Sequence, residues 1–186
     1  LNETGNAFTI SVSDTGTVDA ATVNVLNGKT TGVITLAATG VSGALSDIKT
    51  LYEANTAAEV AGLGNETVTI SDTGSVSAAD LNTVNGLTTG VITAIGVTTV
   101  TGTLAEIKTA YAAGSAGTIS GLGNEAITVS DTGAITSTDL SDLDALTTGS
   151  VTISLSGTSV AATTLNTLDA SSTQAVSYTH LTLPTK

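Results

Sequence analysis

Apolar residues recur in two rhythms along this chain. In "TGTLAEIKTAYAAG" (101–114), Leu104, Ile107 and Tyr111 share a helical face, Thr103 and Glu106 are spaced as a capping box, and Gly114 offers a stop. In "SVSAADLNTVNG" (75–86), Ser77 and Asp80 repeat the hydroxyl-x-x-acid start, Leu81 and Val84 face one way, and Gly86 follows as a stop. Both segments predict short helices. Between them run "TVTIS", "GVITAIGVTTV", "AITVS" and "SVTISLS", β-branched stretches bounded by Gly, Asp or Ser that predict short strands. Strands separated by helices pair in parallel through crossovers, so the expected unit is a β-α-β-α step. Leu81, Leu104, Ile107 and Leu140 should then be buried, and Lys49 and Lys108 should face solvent.

The pattern repeats. "SDTG" stands at 13, 71 and 130 and "TTG" at 30, 88 and 147, both at offsets of 58 and 59. "GLGNE" at 62 and 121, and "LSDIKTLYEA" at 45 against "LAEIKTAYAA" at 104, repeat at 59. The copies divide the chain into 1–61, 62–120, an incomplete 121–175, and a departing tail, 176–186. A weaker echo of strand, hydroxyl cap and helix suggests half-units of about 30 residues, and 157–173 reads as one more half. Copy one has Ala44 where copy two has the hydroxyl cap Thr103, and copy three has Ala145 where Gly28 and Gly86 stand earlier. Helices this short are marginal alone and gain stability by stacking on neighbouring units. The expected fold is therefore α/β: a repeat solenoid of short parallel strands and short helices, 58–59 residues per double unit, with an all-β repeat array as the alternative.

Composition narrows the functions. Aromatic residues are 2% of the chain (Phe8, Tyr52, Tyr111 and Tyr178), too few for the platforms on which sugars, bases or flat cofactors stack. Sixteen acidic residues against four lysines and no arginine give a net charge of -12. That leaves no basic face for nucleic acid or an anionic membrane surface. Mean hydropathy is +0.36, yet no apolar run reaches the ~18 residues of a membrane span, so no membrane insertion is expected. Cysteine is absent, which does not fix a compartment. The chain starts at Leu1 with no signal-peptide pattern and reads as an internal fragment.

The strongest catalytic candidate is Asp-Thr-Gly, at Asp14, Asp72 and Asp131. It resembles the aspartic-protease motif, whose chemistry needs two such aspartates sharing a proton. Three copies at repeat spacing put these carboxylates in line along an array rather than face to face, so each reads more naturally as a turn. The same three aspartates, joined by Glu66 and Glu125 of "GLGNE", offer hard oxygen ligands at regular spacing. Calcium is the cofactor they would suit, although neither the EF-hand loop nor the calcium-binding nonapeptide occurs. Rows of threonine (Thr67 and Thr69; Thr98, Thr99 and Thr101) suggest an ice-binding face, but threonine is also an ordinary strand residue. No nucleophile with its base, zinc spacing or phosphate loop is visible, and no enzyme is expected.

"GLGNEAITVSDTG", "AADLNTVNGLTTGVIT" and "TGTLAEIKTAYAAG" together resemble the tandem repeats of giant cell-surface and secreted proteins of marine picocyanobacteria and related bacteria, over nearly all of 5–175. The resemblance implies a non-catalytic structural or adhesive segment at the bacterial surface. Its partners would be neighbouring repeats of the same chain and cell-surface polysaccharide or other surface proteins. The tail "VSYTHLTLPTK" breaks the repeat and resembles a translated sequencing adapter. It holds the chain's single histidine, His180, and its single proline, Pro184, and is expected to be extended, poorly packed and free of helix or ladder pairing beyond chance.

Overall fold

The computed structural model describes residues 6–131, 135–154 and 177–179. Its first elements are β1 (Ile10–Val12), β2 (Thr17–Asp19), α1 (Ala20–Asn27), β3 (Ile34–Leu36), β4 (Gly40–Gly43), α2 (Leu45–Thr56) and β5 (Val60–Ala61). The middle holds β6 (Thr67–Ile70), β7 (Ser75–Ser77), α3 (Ala78–Leu87), β8 (Ile92–Thr93), β9 (Thr99–Gly102), α4 (Leu104–Ser115) and β10 (Ile119–Ser120). β11 (Ala126–Val129), α5 (Ser137–Leu146), β12 (Val151–Ser154) and β13 (Ser177–Thr179) follow. The protein is α/β, and every described strand pairing is parallel. Five described helices set the all-β alternative aside.

The strands form three sheets, in the orders β1-β3-β5, β2-β4-β6-β8-β10 and β7-β9-β11-β12-β13. Along each sheet one column of apolar, mostly β-branched residues stacks inward: Ile10, Ile34 and Val60; Val18, Val41, Val68, Ile92 and Ile119; Val76, Val100, Ile127 and Val151. All but Ile10 are buried. Stiff, branched side chains fit this pleated stacking and supply most of the core, with Tyr52 and Tyr111 its buried aromatics among the described residues. The helices pack in chain order, α1 on α2 through to α4 on α5. They begin at 20, 45, 78, 104 and 137, so the steps alternate 25, 33, 26 and 33 and sum to 58 and 59. Short steps carry two strands between helices, as with β3 and β4; the long step from α2 to α3 carries three, one in each sheet.

The β-α-β-α unit expected from sequence is thus too simple. "GVITAIGVTTV" is not one strand: a turn closed by Val97 N–H to Ala94 O (3.1 Å) separates β8 from β9, which lie in different sheets. One glycine stop holds, α1 ending at Asn27 with Gly28 as its C-cap, and the other two do not. α3 continues through Gly86 to Leu87, and α4 through Gly114 to Ser115, because neither glycine adopts the left-handed backbone that turns a chain out of a helix. α4 instead ends at Gly117 (φ 79°), where Thr118 N–H bonds Ala113 O and Gly117 N–H bonds Gly114 O. α2 ends in the same Schellman arrangement, but the left-handed position there is Ala58 (φ 60°).

Leu81, Ile107 and Leu140 are buried, whereas Leu104, at the first position of α4, is only partly so. In the tail, Ser177–Thr179 pairs in parallel with β12. The outer edge of β12 otherwise presents unpaired backbone groups, and "VSYT" is β-prone enough to take them up. Tyr178 pairs with Ile153, two residues from Val151, the partner that the Ile92–Ile119 register would give it 59 residues later. His180 and Pro184 lie outside the described residues.

Candidate functional site

The repeated motifs hold one step of the chain to the next. In "TTG" the first threonine is buried and its hydroxyl donates to a backbone carbonyl of the preceding step: Thr30 to Phe8 O (2.7 Å), Thr88 to Glu66 O (3.4 Å) and Thr147 to Glu125 O (2.6 Å). The same oxygen accepts the glycine N–H two residues on, from Gly32 (3.0 Å), Gly90 (3.0 Å) and Gly149 (2.9 Å). The second threonine's N–H reaches back too, Thr31 to Asn6 O (2.7 Å), Thr89 to Gly64 O (2.8 Å) and Thr148 to Gly123 O (2.9 Å). Glycine is required by approach rather than by φ. A Cβ on Gly90 or Gly149 would fall inside the carbonyl oxygen of Glu66 or Glu125, and one on Gly32 would lie 2.5 Å from Phe8 O.

"GLGNE" builds a buried polar joint. Glu66 is 2% exposed, and its Oε2 accepts from Gly64 N–H (2.7 Å), Asn65 N–H (3.2 Å) and the Tyr52 hydroxyl (3.1 Å). Glu125, 1% exposed, takes Gly123 N–H (2.8 Å) and the Tyr111 hydroxyl (3.0 Å). The other oxygen of each carboxylate, Oε1, has no hydrogen-bond partner among the described residues. Burial pushes both tyrosine hydroxyls well above the usual phenol range, and the neighbouring carboxylate adds to the shift. These glutamates are turned into the fold. A fixed 14-residue spacing from each tyrosine to each glutamate, in a chain with so few aromatics, was the available signal.

"SDTG" caps helices across steps. Asp72 Oδ2 accepts Leu45 N–H (2.7 Å), supplying α2 with the acceptor that Ala44 lacks. Asp131 Oδ2 accepts Leu104 N–H (2.5 Å), adding to the Thr103–Glu106 capping box of α4. A carboxylate at a helix N-terminus satisfies an orphan donor and complements the dipole. Asp14 is exposed and has no such partner among the described residues. Asp14, Asp72 and Asp131 are therefore not brought together, and no hydrogen bond joins any two of them. Among the described residues no group of three or more His, Cys, Asp or Glu gathers where a metal would sit.

The lysines are not free solvent groups. Lys49 of α2 pairs with Asp80 of α3 (3.0 Å), and Lys108 of α4 with Asp142 (2.7 Å) and Asp139 (3.3 Å) of α5. Each carboxylate bonded to its lysine holds the ammonium above its ordinary range, Asp80 for Lys49 and chiefly Asp142 for Lys108. Beside these, Asn24 and Asn82 donate to Asp47 O and Glu106 O (2.9 Å each), tying α1 to α2 and α3 to α4. Thr136, at the N-terminus of α5, lowers the Asp139 carboxyl through its side-chain and backbone hydrogen bonds.

One polar groove of about 380 Å³ is lined by Asn27, Gly28, Thr30, Thr31, Gly32 and Glu59, and a second, of about 210 Å³, lies beside Tyr111 and Leu122. Neither contains Asp14, Asp72 or Asp131. No described helix is long and apolar enough to cross a membrane. Comparison of the chain with protein families, with characterised proteins and with solved structures gives no match.

Proposed function

We propose that this chain is a non-catalytic structural or adhesive segment of a large bacterial extracellular surface protein, a solenoid in which each 58–59-residue double unit packs on its neighbours. The observation that carries the reading is the use made of the repeated residues. The hydroxyl of Thr88, the Cβ-less face of Gly90, the carboxylate of Glu66 and that of Asp72 all engage the backbone or a side chain within their own or the adjacent step. Repetition selected for chemistry would instead converge on a substrate. The partners in this reading are neighbouring repeats first, then cell-surface polysaccharide or other surface proteins.

Deleting 62–120 joins Ala61 to Gly121 in register and removes one unit. An array tolerates this: the shortened chain folds with lower stability, and its long dimension in small-angle scattering shrinks by one unit. A shortened chain that is unfolded would refute the array.

A further inference from the structure

Three features at one end of the sheets share a position with better-covered counterparts. Among the described strands β1 is an edge, whereas its counterparts 58–59 residues along lie inside their sheets, β6 between β4 and β8 and β11 between β9 and β12. Ser71 N–H and Ser130 N–H bond Gly43 O and Gly102 O (2.8 Å each), but Ser13 N–H has no such partner among the described residues. Asp72 and Asp131 each cap the helix 27 residues earlier, while Asp14 caps none among the described residues. Phe8 stands where Glu66 and Glu125 stand and is 56% exposed, where they are buried.

We propose that Phe8, the outer edge of β1 and Asp14 form a docking site for one further strand–helix unit of the same repeat, joined in tandem on the N-terminal side. This rests on the array reading above. What fits the site is set by the two occupied examples: a strand like β4 or β9 pairs with β1, and Asp14 accepts the first helical N–H that follows. Asp14 also supplies the complementary charge for that helix terminus. Phe8 adds a selectivity that the other two joints lack. Glu66 and Glu125 accept a tyrosine hydroxyl from the preceding helix. Phe8 has no acceptor, so a buried tyrosine opposite it would leave its hydroxyl unsatisfied. The docking unit therefore carries an apolar side chain, not tyrosine, 14 residues before Phe8.

The test joins a copy of 62–120 directly to Thr4, which restores both the 27-residue and the 14-residue spacings. In the extended chain, amide hydrogen exchange at Thr9 and Ser13 should slow, and Asp14→Ala should lower the folding constant of the added unit roughly five-fold, as for loss of a cap. In the unextended chain the same substitution should leave the denaturation midpoint unchanged. Tyr111→Phe within the added copy should raise that unit's stability, while Tyr111→Phe at its native place should lower it. An added unit that stays unfolded, or folds without protecting Thr9 and Ser13, overturns the docking site and leaves the array reading to the deletion experiment. Concentration-dependent association of the unextended chain, abolished by Asp14→Ala, would instead place a second molecule there and overturn the tandem occupant.

Discussion

Gly90→Ala tests the backbone joint most directly. One methyl group is added where φ is unremarkable, so the effect is steric: the Cβ would overlap Glu66 O and lie 3.1 Å from Asn65 O. Neither obstacle is a flexible side chain. The two steps must part, and the bonds beside the contact go with them: Thr89 N–H to Gly64 O (2.8 Å), Thr88 Oγ1 to Glu66 O (3.4 Å) and Val68 N–H to Val91 O (2.9 Å). At about 1 kcal/mol for each bond, with about 1–3 kcal/mol for the strained core, the loss is roughly 4–6 kcal/mol. Urea denaturation followed by far-ultraviolet circular dichroism measures it. Gly86→Ala is the control, because nothing lies within 4 Å of its Cβ and it sits inside α3, where alanine should stabilise by about 1 kcal/mol. Gly32→Ala should fall between them, since the segment it strikes, Phe8–Thr9, lies before the first strand and yields more easily. Gly90→Ala within about 1 kcal/mol of the parent would refute close backbone approach as the reason for the third residue of "TTG".

Ala58→Gly should raise stability by about 0.5–1 kcal/mol, because φ 60° strains alanine and Gly117 already serves at the matching place; calorimetry reads it as a higher Tm. Asp72→Ala should cost about 1 kcal/mol, against almost nothing for Asp14→Ala, and a calcium titration that strongly raises Tm in the parent but not in Asp72→Ala would give that carboxylate a metal-binding role. Tyr52 and Tyr111 predict an alkaline limb. Their folded-state pKa values lie above the ordinary 10.0, so the stability they contribute is complete below pH 10 and falls above it, by up to about 1.4 kcal/mol per pH unit for each tyrosine. The double Tyr→Phe variant should lose that slope, and an unchanged slope would show that the hydroxyls are not held protonated.

What could be read from sequence was local. The Thr103–Glu106 box and the Ser77 cap form as spaced, since hydroxyl and acid act within one helical turn. The strand runs were recognised but not divided, because Ile92–Thr93 is shorter than any window in which alternation can be counted. Gly28 ends α1 as expected, but Gly86 and Gly114 stop no helix for a related reason: sequence does not give φ, and the residue that turns left-handed is Gly117 in one copy and Ala58 in another. The motif roles were hidden further still. Asp72 resembles a catalytic or metal-binding aspartate until Leu45, 27 residues away, is seen to need an acceptor. Glu66 belongs to a residue type almost never buried without partners, and its partners are backbone N–H groups that sequence does not display.

The parallel ladders also set how such a chain bears load. Strands lie across the direction in which the sheets extend, from β2 to β10 and from β7 to β13. Tension along that direction falls on one ladder at a time, opening its hydrogen bonds in sequence instead of shearing them together. Each step freed this way releases only the 23 to 27 residues between paired strands, as from Val18 to Val41 or Val41 to Val68. The segment would therefore lengthen under force in small instalments, one ladder at a time.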